Sequence, residues 1–105
     1  MICPFTTTSR VVSGKWAVLV LFFLKDGPKR FGQLKKLLPD IAETTLTKQL
    51  RQLEKDKLIK RQVYPEVPPR VEYYLSPQGE AFKKVLDSIE EWGTNYIKYL
   101  QQTDN

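Results

Sequence analysis

The sequence predicts a mainly α-helical domain with one small β-hairpin. Three observations lead there: apolar residues recur at helical spacing over most of the chain, two short β-rich runs flank a proline cluster near residue 67, and Gly or Pro punctuates nearly every junction. With 105 residues, 41% hydrophobic and 28% charged, the chain has the composition of one folded domain and no room for two cores. A domain of this size buries only about 60 to 65% of its unfolded surface, which makes subunit pairing an expected source of further stability.

The elements follow in order. A first helix is expected from about Pro4 to Ser13, since proline suits the first helical turn, and Ser13-Gly14 ends it. A second, Lys15 to about Lys25, contains the nine-residue apolar run Trp16 to Leu24. A helix apolar on all faces must be covered on all faces, and Trp16 is expected in the core. Asp26-Gly27-Pro28 stops this helix, and Lys29 to Phe31 reads as a short extended stretch. The third helix, 31 to 38, sets Phe31, Leu34, Leu37 and Leu38 against Lys35 and Lys36, and Pro39 closes it.

Asp40-Ile41-Ala42-Glu43 has the spacing of a capping box, so a fourth helix is expected to start near Ile41 and reach about Lys57. Leu46, Leu50 and Leu53 share one side of it, and Thr44, Lys48, Arg51 and Lys55 the other. Strands follow at Ile59 to Tyr64 and Arg70 to Ser76. Between them Pro65-Glu66-Val67-Pro68-Pro69 has no place in a central strand and forms a stiff hairpin tip. Ser76 and Pro77 open a last helix, expected unbroken to about residue 101 and so about 37 Å long. Its apolar stripe includes Phe82, Leu86, Ile89, Trp92, Tyr96 and Leu100 and extends past what so small a core can cover. Gly93, within the stripe, is placed to bend the helix or admit another close to it.

This order is that of a winged helix-turn-helix: helix-turn-helix at about 31–57, wing at about 59–76, and a C-terminal helix at about 77–101 whose uncovered stripe is expected to serve as a dimer interface. One domain spans 1–105.

Composition removes several functions. Without His and with single Cys and Met residues, zinc fingers, His-based metal sites, Ser-His-Asp or Cys-His catalysis and an internal disulfide are excluded. No enzyme activity, metal or required cofactor is expected. The longest apolar run falls far short of the roughly 20 residues that span a bilayer, and the N-terminus lacks the order of a signal peptide, so a cytoplasmic protein without membrane contact is expected.

The charge is localised. Residues 25 to 61 hold eleven Lys or Arg against five Asp or Glu, net +6, whereas 71 to 105 hold three against six. The basic segment is the helix-turn-helix. In such a unit the second helix enters the major groove of double-stranded DNA, which makes Thr44, Lys48, Arg51 and Lys55 candidate contacts, with Thr45 and Thr47 flanking them. Lys60, Arg61 and Arg70 would reach DNA from the wing. A solvated basic face is the plainer alternative, and a protein-interaction module that turns this face to an acidic partner is the functional one.

Gly14-Lys15-Trp16, Asp26-Gly27-Pro28-Lys29-Arg30-Phe31-Gly32-Gln33-Leu34, Leu46-Thr47-Lys48-Gln49-Leu50-Arg51-Gln52-Leu53-Glu54 and Tyr64-Pro65-Glu66-Val67-Pro68-Pro69-Arg70-Val71-Glu72-Tyr73 closely resemble the HxlR family, bacterial winged-helix transcriptional regulators distantly similar to MarR proteins. The resemblance covers nearly the whole chain. It implies a homodimer paired through terminal helices on an inverted-repeat operator. Ala42 departs from it, since members commonly carry Ser before the recognition helix.

Cys3 precedes the proline that opens the first helix. A thiol there is favoured as thiolate by the helix dipole, and Cys-Pro at the N-terminus resembles the sensing cysteine of redox- and electrophile-responsive members. An exposed thiol without a role is the alternative. Any disulfide of Cys3 must be with another subunit or a small thiol.

Overall fold

The computed structural model describes residues 2–103. Its elements are α1 (Pro4–Val12), α2 (Lys15–Phe23), α3 (Phe31–Leu37), α4 (Glu43–Lys55), β1 (Ile59–Tyr64), β2 (Arg70–Leu75), α5 (Pro77–Ala81) and α6 (Lys83–Thr103). The fold is the expected winged helix-turn-helix, mainly α with one antiparallel hairpin registered from Ile59 opposite Leu75 to Tyr64 opposite Arg70.

The core forms where α2 lies under the helix-turn-helix. Val20, Leu21 and Leu24 of the α2 region meet Leu34 and Leu38 of the α3 region and Leu46, Leu50 and Leu53 of α4. Ile59 and Leu75 at the wing root and Leu86 of α6 complete it, and Trp16 packs against its edge. Each fully buried leucine contributes about 1.5 to 3 kcal/mol relative to an exposed one, so the leucine face of α4 fixes that helix firmly. α1, by contrast, buries none of its residues. It rests on α2, and Arg10 Nη1 reaches Asp56 Oδ1 at 3.1 Å.

Several boundaries depart from the sequence expectation. Asp40 does not cap α4. Ile41 is buried, its amide donates to the Leu38 carbonyl at 3.2 Å, and this turn delays the helix to Glu43 with Ala42 as an N-cap that makes no side-chain bond. A side-chain bond to the N-cap forms one helix earlier, where the Arg30 amide donates to Gln33 Oε1 at 2.8 Å. α2 ends at Phe23 because Leu24 to Gly27 forms a turn, with Gly27 N donating to Leu24 O. β2 ends at Leu75 because Ser76 caps α5: its Oγ accepts from Gly79 N at 3.1 Å and donates to Lys57 O at 2.7 Å.

The last helix is not continuous. Phe82 packs against the core, its amide is shared between the carbonyls of Gln78 and Gly79, and Val85 N bonds back only three residues to Phe82 O. This tightened turn separates α5 from α6, and the Lys83–Glu80 ion pair at 2.7 Å spans it. α5 sits close to the α4–β1 junction because residue 79 has no side chain: a Cβ there would overlap the Leu58 carbonyl oxygen. α6 then leaves the body. The radius of gyration is 15.7 Å, against about 13 Å for a compact chain of this length, and the longest dimension is 56 Å.

The extended stretch at Lys29 becomes a one-residue bridge to the wing. Lys29 N donates to Tyr73 O at 2.9 Å and Tyr73 N to Lys29 O at 2.8 Å, which ties β2 to the turn before α3.

Candidate nucleic-acid interface

With Leu46, Leu50 and Leu53 turned into the core, α4 presents Thr44, Lys48, Arg51 and Lys55 as exposed residues on its other side. Thr44, Thr47, Lys48 and Arg51 come together with Phe31 and Glu43 around a shallow hollow of about 330 Å³. Lys55, a turn beyond, is outside it. The flanking threonines are less available than expected. Thr45 is half-buried, and Thr47 Oγ1 donates to the Glu43 carbonyl at 2.9 Å, holding its proton within the helix.

Two of the three wing cations are already engaged with carboxylates of their own chain. Arg70 is half-buried, with Nε 3.2 Å from Glu66 Oε2, Nη1 4.0 Å from Glu72 Oε2 and the guanidinium 4.0 Å from the Tyr64 ring centre. Arg61 Nε stands 3.4 Å from Glu54 Oε1 on α4. Lys60 is exposed on β1. Of the three predicted wing contacts, Arg70 is therefore built into the hairpin tip, and Arg61 into the joint between wing and helix. Sequence order hid the Arg61–Glu54 pair because the two meet only when β1 folds back along α4. The joint also shifts Tyr73: burial pushes its phenol up, the Glu54 carboxylate adds to this, and Arg61 and Arg51 oppose it.

The predicted interface stripe divides. Leu86 is buried and Phe82 half-buried against the chain's own core, because α5 folds back on the body. Ile89, Trp92, Tyr96 and Leu100 are exposed, Trp92 by 66%. Trp92 and Tyr96 stack at 4.8 Å, and Tyr99, absent from the expected stripe, continues the stack at 6.5 Å. Gly93 has open space where its Cβ would be, so nothing in its own chain requires glycine there.

Cys3 is exposed at the N-cap of α1. Hydrogen bonds from the Thr6 backbone and hydroxyl, then from the Phe5 amide, hold its thiol below the usual cysteine range.

A profile of HxlR-like helix-turn-helix proteins matches residues 11–101. The chain belongs to this family. Among its HxlR-like relatives is the Bacillus subtilis HTH-type transcriptional regulator YdeP, 45% identical over 94 residues that make up 90% of this chain and 73% of YdeP. The reduced redox regulator HypR superposes with a TM-score of 0.90 at 36% identity, over 95% of this chain and 99% of HypR. Reduced YodB from B. subtilis gives 0.78 at 33% identity, over 88% and 91% of the two chains. This HxlR-like protein is thus a transcription regulator built on a helix-turn-helix, and its fold and relatives are those of regulators rather than enzymes. Among the described residues, no helix is long and apolar enough to cross a membrane.

Proposed function

We propose that the chain binds double-stranded promoter DNA sequence-specifically as a homodimer on a palindromic site. The observation that carries this reading is the exposure of Thr44, Lys48, Arg51 and Lys55 opposite the buried leucines of α4. A helix anchored in this way can enter a major groove without moving its core, and its cations can meet both phosphates and base edges. Two such helices would occupy successive grooves about 34 Å apart, and the projecting aromatic face of α6 is the surface on which a second copy would pair. Duplexes selected by the wild-type chain from a random library should share an inverted repeat. Retention of unrelated sequences with equal affinity would sink the reading, and salt dependence alone would not rescue it.

A second reading concerns regulation. The lowered thiol pKa of exposed Cys3, together with the likeness to the redox regulator HypR, supports Cys3 as a thiol switch. Two Cys3 thiolates from paired subunits would give up two electrons to an oxidant such as diamide. One S–S bond forms as the oxidant's N=N bond takes up the electrons and two protons. Loss of DNA retention on diamide treatment, absent in Cys3→Ser, is the expected result; wild-type retention through the treatment would make Cys3 a bystander.

A further inference from the structure

The joint between α4 and the wing contains a carboxylate beside the cations of α4 and β1. Glu54 Oε1 is shut off from solvent and accepts no hydrogen bond, and its ion partner is Arg61 Nε at 3.4 Å. Arg61 is the direct cross-strand partner of Tyr73, so the two side chains share one face of the hairpin. Arg51, Glu54, Arg61 and Tyr73 line one notch of about 150 Å³ between α4 and the wing.

The connection that this ion pair spans is short and bent. Only Asp56, Lys57 and Leu58 separate α4 from β1, and Lys57 adopts a positive φ of 63°. Beyond its root the hairpin has little packing: Val63 and Val67 are exposed, and a two-stranded hairpin is marginal by itself. Its direction relative to α4 therefore depends on few restraints. Ile59 and Leu75 hold the root, Tyr73 packs against the core and through its bridge to Lys29 holds β2, and Glu54–Arg61 holds β1 across the bend.

From this we infer that Glu54 is a positioning residue: through Arg61 it fixes the wing against the recognition helix, so that both meet one stretch of duplex together. The inference rests on the DNA-binding reading. It predicts an outcome opposite in sign to simple electrostatics. Removing a carboxylate from a face that meets phosphates should tighten binding through lessened repulsion. Removing a clamp should weaken binding, and weaken it most for the sequence that requires helix and wing in register.

The test compares wild type, Glu54→Gln, Arg61→Gln and the double variant, as full chains, on a selected duplex and on a scrambled one. The expected result is about five- to tenfold weaker binding of Glu54→Gln to the selected duplex, with the scrambled duplex within about twofold. The double variant should lose no more than Arg61→Gln alone. NMR relaxation of the free proteins gives a readout independent of DNA: amides of residues 61–72 should become more mobile in Glu54→Gln while those of α2 stay rigid. Tighter binding of Glu54→Gln, additive losses in the double variant, or an unchanged wing would each overturn the clamp. A wild-type chain that fails to prefer the selected duplex overturns the proposed function instead, and that failure is visible before any variant is compared.

Discussion

The α-carbon of Gly79 faces the carbonyl oxygen of Leu58 so closely that a methyl group at position 79 would overlap it. The neighbour is backbone within the α4–β1 junction, and Ser76 bonds to the same segment through Lys57 O at 2.7 Å. α5 and the helix-turn-helix are therefore joined at a contact that only glycine permits.

Gly79→Ala should destabilise the chain by about 1 to 3 kcal/mol, the usual range for overpacking. For a domain of this size that lowers Tm by at least about 4 °C in a thermal scan, and an unchanged Tm would mean that α5 shifts without penalty.

Lys57 presents the opposite case. Its φ of 63° lies in the left-handed region, which costs a residue with a Cβ about 1 to 2 kcal/mol. Lys57→Gly should recover part of that, and Tm should rise. A fall would show that the lysine side chain contributes more than its backbone costs.

Arg51→Ala and Lys48→Ala should weaken binding to a selected duplex without changing Tm, since neither side chain is part of the core. A residue reading a base edge is worth about 1 to 3 kcal/mol, and a phosphate contact reduces the salt slope by about one. Arg70→Ala should act more evenly across sequences, because contacts to phosphate carry little sequence information. Fluorescence anisotropy titrations over a salt series separate these outcomes, and unchanged curves for Arg51→Ala and Lys48→Ala together would remove the recognition face.

Gly93→Ala meets no atom of its own subunit, and alanine is favoured over glycine inside a helix by about 0.5 to 1 kcal/mol. If a second subunit approaches α6 closely at this point, sedimentation should show weaker self-association of a chain whose helix is intrinsically more stable. Unchanged association would place the contact elsewhere along Ile89, Trp92 and Tyr96.

For Cys3 the expected pH dependence follows from its lowered pKa. Its folded value lies below its unfolded one, so the contribution to stability is present above the unfolded pKa and is lost as pH falls through the folded pKa. Alkylation should accordingly reach its plateau at lower pH in the folded chain than in urea. Thr6→Val removes the hydroxyl bond to the thiol and should shift the folded profile upward; coincident profiles for folded and unfolded protein would remove the effect.

The order of elements was legible in the sequence because local chemistry sets it. Leucine spacing along α4, proline at the hairpin tip, Ser76-Pro77 before α5 and the all-apolar α2 each act within a few residues. The exposed cations of α4 were legible for the same reason, being what remains once the leucine face is buried. What the tertiary structure decided involves groups far apart along the chain or local signals in competition. Asp40 had the spacing of a cap, but burial of Ile41 prevailed, since core packing outweighs a capping bond of about 1 kcal/mol. The break at Phe82 and the inward turn of Leu86 follow from where α5 meets Leu58. Glu54 and Arg61, seven residues apart, become partners only when the chain reverses at Lys57, so their ion pair belongs to the fold rather than to either segment.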